Sequence, residues 1–367
     1  MQKKARYSIL FPVSLVYSCI TGFRNWLYDK GILQSERKKI PLVVIGNLTV
    51  GGTGKTPHTE FLIDALRDQF RLAVLSRGYK RSTKGFIKAT KLHTARDLGD
   101  EPLQMALKYP SVPVAVCENR SKGIDRLLDL HPDLELILLD DAFQHRRIRP
   151  GFSILLTDFN RLHTRDSLLP GGNLRESVKG SQRADCIIVT KCNAEPDSDQ
   201  KSEIVQEVKM RPNQEVYFSS YAYGALRPVF PDLHSPETIQ NPPAEDALLL
   251  ANKAILLVTG VVSPRQLIVE FTPRCKELHS LQFPDHHQFG KRDFERIESA
   301  FRAITHPHKL ILTTEKDAAR LIHHPMLSDS IKKYIFVVPV VVQIHDNREK
   351  ELIQKITDYV RENSGNR

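Results

Sequence analysis

The 367-residue chain has an odd number of cysteines, five, and no two are spaced as C-x-x-C. Cys19, Cys117, Cys186, Cys192 and Cys275 are scattered, which excludes a zinc-knuckle pattern and a disulfide framework and reads as a reduced, cytosolic protein. Acidic excess is missing too: 53 Lys and Arg against 43 Asp and Glu leave a formal charge of +10 and a pI near 9.3. That balance suits an anionic partner such as a nucleotide, an acidic lipid surface or nucleic acid. No RNA- or DNA-binding module pattern occurs, so no nucleic-acid partner is expected. Internal repeats and long low-complexity tracts are absent. What remains is a globular composition, 41% hydrophobic, in a chain long enough for two cores.

A long hydrophobic run is also lacking. The longest uncharged stretch, Tyr7 to Phe23, sits at the bottom of the ~17–25 residues that span a bilayer, and Pro12 interrupts it. No small-residue cleavage site follows, which argues against a signal peptide. Ile9, Val13, Val16, Ile20, Phe23 and Leu27 recur at helical spacing and make one apolar stripe. Lys3, Lys4 and Arg6 precede it, and Trp26 and Tyr28 follow. The preferred reading is a helix lying in the membrane interface, with its basic residues on anionic headgroups. The stripe alone fits equally a helix packed on the protein's own core.

The chain is organised around residues 42–56, LVVIGNLTVGGTGKT. A β-branched apolar run enters a Gly-rich turn that closes on Gly-Lys-Thr, and Pro57 opens a helical pattern. The turn suits a phosphate-cradling loop. Gly51, Gly52 and Gly54 let backbone N–H groups point inward, Lys55 brings a charge to the β/γ-phosphates, and the Thr56 hydroxyl can hold Mg²⁺. The first glycine of the usual G-x-x-x-x-G-K-[ST] pattern would fall at Thr49, so Gly51 and Gly52 supply the flexibility instead. ATP is therefore expected on Thr49, Val50, Gly51, Gly52, Thr53, Gly54, Lys55 and Thr56, the alternative being a Gly-rich turn before an ordinary helix.

Strand-like runs at Leu42–Ile45, Leu72–Ser76, Val112–Val116, Leu134–Leu139, Phe152–Leu156 and Cys186–Thr190 alternate with helical patterns. This predicts a parallel sheet covered on both faces, with ligands at the C-terminal strand ends. Polar groups gather at those ends. Asp140 and Asp141 close one strand, where an acid of P-loop enzymes holds Mg²⁺; a helix cap is the plainer alternative. Gln144, His145, Arg146 and Arg147 follow and suit an anionic transition state or a solvated basic turn. Arg77 and Tyr79 follow a strand directly. Asp100, ahead of a helix expected near Leu103, could cap it or accept the proton of an attacking hydroxyl. Arg175 and Glu176 end a turn-rich stretch from Leu169, and Thr190-Lys191 stands where related folds read the base.

From residue 192 to 250 Pro, Asp, Asn and Ser rise, which reads as a link with an exposed insertion at Pro228–Asp246 and one extended strand at Val216–Tyr223. A second α/β set follows, with strands at Ala254–Val262, Leu310–Thr313 and Ile335–Gln343 and a last helix at Glu349–Glu362. Asp285, His286 and His287 could ligate metal, meet a carboxylate of the first domain, or form a surface turn. The expected division is 1–30 membrane helix, 31–212 P-loop domain, 213–250 linker and 251–367 second domain.

Tyr17–Tyr28, Val44–Pro57, Ser76–Tyr79, Gly99–Pro102, Asp140–His145, Leu169–Glu176, Phe283–His286 and Thr314–Asp317 together resemble the tetraacyldisaccharide 4'-kinase (lipid A 4'-kinase) family. The family's loop also lacks a glycine at the position of Thr49. The resemblance implies transfer of the ATP γ-phosphoryl group to the 4'-hydroxyl of a lipid A disaccharide precursor. It implies a peripheral enzyme on the anionic cytoplasmic face of the bacterial inner membrane, with no obligate protein partner evident. The implied fold is a P-loop NTPase-type parallel-sheet domain and a smaller α/β domain joined by a β-ribbon hinge. By resemblance Asp100 is the catalytic base and His286 its dyad partner. Lys55 acts on the phosphates, Thr56, Asp140, Asp141 and Glu176 surround the metal, and Arg77, Tyr79, Arg120, Gln144, His145 and Arg175 line the site. Asn173 stands where many relatives are expected to carry Pro. The rival reading is a P-loop GTPase-type switch or metallochaperone in which Thr190-Lys191 reads guanine.

Overall fold

The computed structural model describes residues 2–192, 195–209, 211–234, 250–260, 265–285, 287–322 and 324–364, with side chains from residue 10 onward. His286, the expected dyad partner, and residues 235–246 of the expected insertion lie outside the described residues.

Among the described residues fourteen strands form two sheets. In chain order they are β1 Leu42–Asn47, β2 Leu72–Ser76, β3 Ile87–Lys88, β4 Val114–Val116, β5 Leu136–Asp140, β6 Phe152–Asp158, β7 Cys186–Thr190, β8 Glu215–Tyr223, β9 Arg227–Pro228, β10 Ala254–Thr259, β11 Glu277–Gln282, β12 Lys309–Thr314, β13 Ile335–Val338 and β14 Val340–Ile344. The helices whose bounds fall among the described residues are α1 Gln2–Asp29, α2 Lys55–Leu66, α3 Ala95–Leu98, α4 Asp100–Lys108, α5 Arg120–Leu130, α6 Ser198–Val208, α7 Arg265–Phe271, α8 Lys291–Ala303, α9 Glu315–Leu321, α10 Asp329–Lys332 and α11 Glu349–Ser364.

The first sheet runs β14-β8-β7-β6-β1-β5-β2-β4-β3, parallel except at its two antiparallel edges, β3 and β14. Its parallel strands are apolar on both faces because both faces are covered. Val43 and Ile45 of β1 pack with Leu62, Ile63 and Leu66 of α2 on one side. Leu42 and Val44 pack with Ile124 and Leu127 of α5 on the other. β1 lies between β5 and β6, with Ile45 opposite Asp140. This register delivers the Gly-rich loop and the two aspartates to the same edge.

The second sheet runs β11-β10-β12-β13-β9. The run read as one strand from Ile335 to Gln343 is two: β13 pairs with β12 of the second sheet and β14 with β8 of the first. Pro339 between them has no N–H to give a ladder, and the break lets the chain change sheets. β14 and α11 therefore belong to the first lobe rather than to a second domain running to residue 367, and Leu352, Ile356 and Val360 of α11 are buried in its core. The expected linker strand, β8, is a full member of the first sheet. The lobes are thus joined by two antiparallel crossings, residues 224–226 and Pro339, tied where Gly224 N–H donates to the Pro339 carbonyl at 3.0 Å.

Helix α1 is attached through its polar side. Ser14 Oγ accepts from Gly171 N–H at 3.0 Å, Tyr17 Oη donates to the Arg175 carbonyl at 2.8 Å, and Asn25 Nδ2 donates to Glu176 Oε2 at 2.8 Å. Phe11, Val13, Val16, Ile20, Phe23 and Trp26 are exposed. No helix among the described residues is long and apolar enough to cross a membrane.

Candidate active site

The loop after β1 hands over to α2 through Gly54, at φ 88°. No side chain caps this helix, so its first N–H groups and the positive end of its dipole are left facing the loop. Such an N-terminus is built for an anion. A methyl group on Gly54 would sit 1.8 Å from the Tyr221 hydroxyl, so only glycine fits there. The loop is gripped from below by groups to which sequence reasoning gave another role, as with Thr190, or none. Asn47 Nδ2 donates to Thr53 Oγ1 at 2.7 Å, Thr190 Oγ1 donates to the Thr53 carbonyl at 2.9 Å, and Arg161 donates to the Val50 carbonyl at 3.2 Å. Lys191, which the rival reading places on guanine, pairs with Asp158 at 2.8 Å and donates to the Gly52 carbonyl.

Thr49, at the missing-glycine position, is buried and bridges to Leu174, while Val50 N–H donates to the Asn173 carbonyl at 2.8 Å. The Leu169–Glu176 stretch is therefore the wall of the loop. Asn173 has its own job there, since its Nδ2 donates to Asp166 Oδ2 at 3.0 Å.

Lys55 Nζ lies 3.8 Å from Asp141 Oδ1 and 3.5 Å from Asn47 Oδ1. Arg175 closes the cluster, donating to Asp141 Oδ1 at 2.9 Å and also to Asn47 Oδ1. Burial pushes the Asp141 carboxyl up, but Lys55, Arg175 and Arg120 together hold it below its ordinary value. Asp140 is completely buried and goes the other way, up to about 6, driven by burial and then by the charge of Asp141. Its two oxygens accept from Thr59 Oγ1 at 3.2 Å and Ser76 Oγ at 3.0 Å. Arg120 sits beneath, donating to the Cys117 and Asp140 carbonyls at 2.8 and 3.4 Å, and burial lowers it to about 10.

Gln144 Nε2 donates to the Asn47 carbonyl at 2.7 Å. His145 is held neutral, at about 4, by burial and then by the charges of Arg120, Arg147, Arg24 and Arg77. Arg77 and Tyr79 are exposed on the rim, Tyr79 with Lys80 over its ring.

The donor set fits a magnesium ion. Mg²⁺ usually takes one or two carboxylates and completes its shell with phosphate oxygens and water. Asp140, pushed toward protonation by a neighbouring carboxylate, is the group a divalent cation would relieve. Asp141 lies beside Lys55, and Thr56 follows that lysine in the first turn of α2. Glu176 is committed elsewhere, to Arg183 at 2.8 Å and to Asn25. His287 of the Asp-His-His run is bonded to Asp293 at 2.9 Å and stacked on Phe283. Among the described residues no three His, Cys, Asp or Glu side chains form a metal-holding group.

Asp100 is the first residue of α4, which starts earlier than the expected Leu103, behind Gly99 at φ 90°. A methyl on Gly99 would lie 2.8 Å from the Tyr79 carbonyl oxygen, so the Ser76–Tyr79 turn packs directly on this helix start. The neighbouring Glu101 adds to the upward push on Asp140, which places the α4 N-terminus over the end of β5. Asp100 itself is met by Arg320 of the second lobe. That partner, 220 residues away, had no local signal in the sequence.

Three comparisons bear on these features. The family model for LpxK, tetraacyldisaccharide-1-P 4'-kinase, matches residues 6–360. The chain is 49% identical over 360 residues to a tetraacyldisaccharide 4'-kinase of Bacteroides thetaiotaomicron, covering 97% of this chain and 94% of that one. It is 39% identical over 369 residues to the enzyme of the same name from Flavobacterium psychrophilum, covering 97% and 98%. A crystal structure described as the apo form of LpxK from Aquifex aeolicus in complex with ATP superposes with a TM-score of 0.73 at 29% identity, covering 96% of this chain and 99% of that one. A Gly-rich loop at an uncapped helix start, an aspartate pair beside its lysine and this match over nearly the whole length lead to one conclusion: the chain belongs to the tetraacyldisaccharide-1-P 4'-kinase family.

Proposed function

We propose that the protein transfers the γ-phosphoryl group of ATP to the 4'-hydroxyl of tetraacyldisaccharide 1-phosphate, the lipid A precursor, at the cytoplasmic face of the inner membrane. The observation that carries the reading is the Lys55–Asp141–Arg175 cluster at the uncapped N-terminus of α2, in a chain that matches this family from residue 6 to 360.

The steps follow from charge. The N–H groups of the 49–56 loop and Lys55 cradle the phosphates and offset the charge that builds on the transferred group. Thr56, Asp140 and Asp141 would hold a magnesium ion, which would supply positive charge against that build-up, with Glu176 joining only if Arg183 releases it. Arg175, fixed on Asp141, adds a second cation to the reacting phosphate. Arg120, Gln144 and the neutral His145 fix the floor, and Arg77 and Tyr79 meet the acceptor from the rim. Asp100 accepts the proton of the sugar hydroxyl as the O–P bond forms. His286 is its dyad partner by the family resemblance. Docking of that lobe over Asp100 keeps water from competing with the sugar.

The exposed apolar face of α1 supports the membrane placement. Its polar face is already used by the Leu169–Glu176 wall, so the stripe is turned away from the protein and toward acyl chains. The acceptor's head group would then enter the cleft from the lipid surface. The test is transfer of radiolabelled γ-phosphate into a chloroform-soluble product. Label appearing only when the disaccharide is supplied supports the reading, and nucleotide turnover indifferent to the lipid sinks it.

A further inference from the structure

The surface between the lobes carries a row of charges organised by α9. Glu315 takes Arg227 at 2.6 Å and Lys108 at 2.9 Å, and Lys108 also takes Glu60 of α2 at 2.5 Å. Lys316 lies 3.4 Å from Asp285 and 3.7 Å from Glu101. At the far end Arg320 reaches the first lobe with two nitrogens. Its Nε donates to Asp100 Oδ1 at 2.9 Å and its Nη2 to Asp100 Oδ2 at 2.5 Å. The remaining nitrogen, Nη1, donates to Asp317 Oδ1 at 3.0 Å. Asp317 is wholly buried, and its other oxygen accepts from Gly260 N–H at 2.9 Å and the Thr314 hydroxyl at 2.8 Å. The guanidinium is thus locked from behind by its own lobe while it grips a carboxylate of the other.

We propose that Arg320 is the positioning residue of Asp100, so that the second lobe sets the orientation of the base that the first lobe carries. This rests on the reading of Asp100 as the base. Helix α4 fixes where Asp100 begins, but the carboxylate plane turns easily about its last side-chain torsion. A two-bond fork fixes that plane, which a point charge cannot do. A carboxylate has about four acceptor positions and the fork takes two, so positions remain for other partners and for a sugar hydroxyl. Arginine keeps its proton throughout, which suits it to orient the base and not to relay the proton. When the lobes part, the fork is lost and the base is no longer aimed. Proton removal from the acceptor is thereby tied to the docked arrangement, the one that shields ATP from water.

The experiment is steady-state transfer of labelled γ-phosphate to tetraacyldisaccharide 1-phosphate in detergent micelles by the full-length protein. It compares wild type, Arg320→Gln, Arg320→Lys, Asp100→Asn and Asp100→Asn/Arg320→Gln. Arg320→Gln should lower kcat about 10²-fold, the scale of a misplaced catalytic group, with the KM for ATP unchanged. Arg320→Lys should recover part of the loss, to within about 10-fold of wild type. In the Asp100→Asn background Arg320→Gln should cost less than about 2-fold more, because the group it aims is already gone. Should Arg320→Gln fail to fold, Arg320→Lys and Asp100→Asn/Arg320→Lys carry the test, the second expected to fall less than about 2-fold below Asp100→Asn. Wild-type kcat in Arg320→Gln, a KM for ATP that rises in step with the loss, or a full further loss on top of Asp100→Asn would each overturn the proposal. A wild-type protein that binds ATP yet labels no lipid would instead overturn the kinase reading itself.

Discussion

His58 pins the phosphate loop to the strand that leaves the first lobe, and its protonation gives a measurable signature. The ring is buried, with Nδ1 2.8 Å from the Gly54 carbonyl oxygen and Nε2 3.0 Å from Ser219 Oγ. The carbonyl can only accept, so Nδ1 carries the proton and Nε2 accepts from the Ser219 hydroxyl. Burial holds this histidine down to about 4 from 6.5, with the Gly54 bond opposing. Between those values the unfolded chain takes up a proton that the folded one refuses, so stability falls as pH falls below 6.5. At pH 5 the loss is about 1.5 units at 1.36 kcal/mol each, roughly 2 kcal/mol. Asp140 and Glu60, pushed up to about 6 and about 7 by burial, act in the opposite sense, so the profile of the wild type alone is flattened. They cancel in a difference. Urea unfolding of wild type and His58→Gln should therefore show a stability deficit in the variant that shrinks by about 2 kcal/mol between pH 8 and pH 5. A deficit that stays constant over that range would refute the neutral, doubly bonded ring.

Other expectations follow from the same geometry. Lys55→Ala should abolish transfer while the thermal midpoint holds, because Lys55 lies in the mouth of the site and not in either core; retained transfer contradicts its role. Gly54→Ala should weaken ATP binding by about 10-fold or more, since it combines a left-handed residue costing about 1–2 kcal/mol with a collision against Tyr221, and Tyr221→Phe should restore part of it. Calorimetric titration with ATP decides, and unchanged affinity in Gly54→Ala refutes the close approach. Replacing both Phe23 and Trp26 by Ser should cut flotation with anionic vesicles by about 10²-fold in partition, from roughly 3 kcal/mol of lost apolar burial. Flotation equal to wild type would move the lipid contact elsewhere.

Much of the first lobe could be read locally. A parallel strand covered on both faces is a continuous apolar run, and the polar residue that ends it lands at the ligand edge, which is why Lys55, Asp140 and Asp141 could be grouped before any coordinates. The last third was less legible. Apolar β-branched residues stand on both sides of Pro339, and nothing in their period tells that one half pairs with β12 and the other with β8. The side of α1 that docks was also hidden: the apolar stripe was visible, but Ser14, Tyr17 and Asn25 find their partners on a wall more than 100 residues away. Asn47 carries no motif of its own, yet it holds Thr53, Arg175 and Lys55 together. Arg320 and Asp317 belong to a helix start that reads as an ordinary charged surface until Asp100 is folded against it.

The most direct measurement is the rate at which wild type and Asp100→Asn pass labelled phosphate from ATP to the disaccharide lipid, with ATP affinity taken on the same samples. Labelling by the wild type, and a loss of about 10²-fold or more in the variant with ATP bound as before, is the predicted result. Undiminished labelling by Asp100→Asn, or label released by the wild type to water and not to lipid, would contradict it.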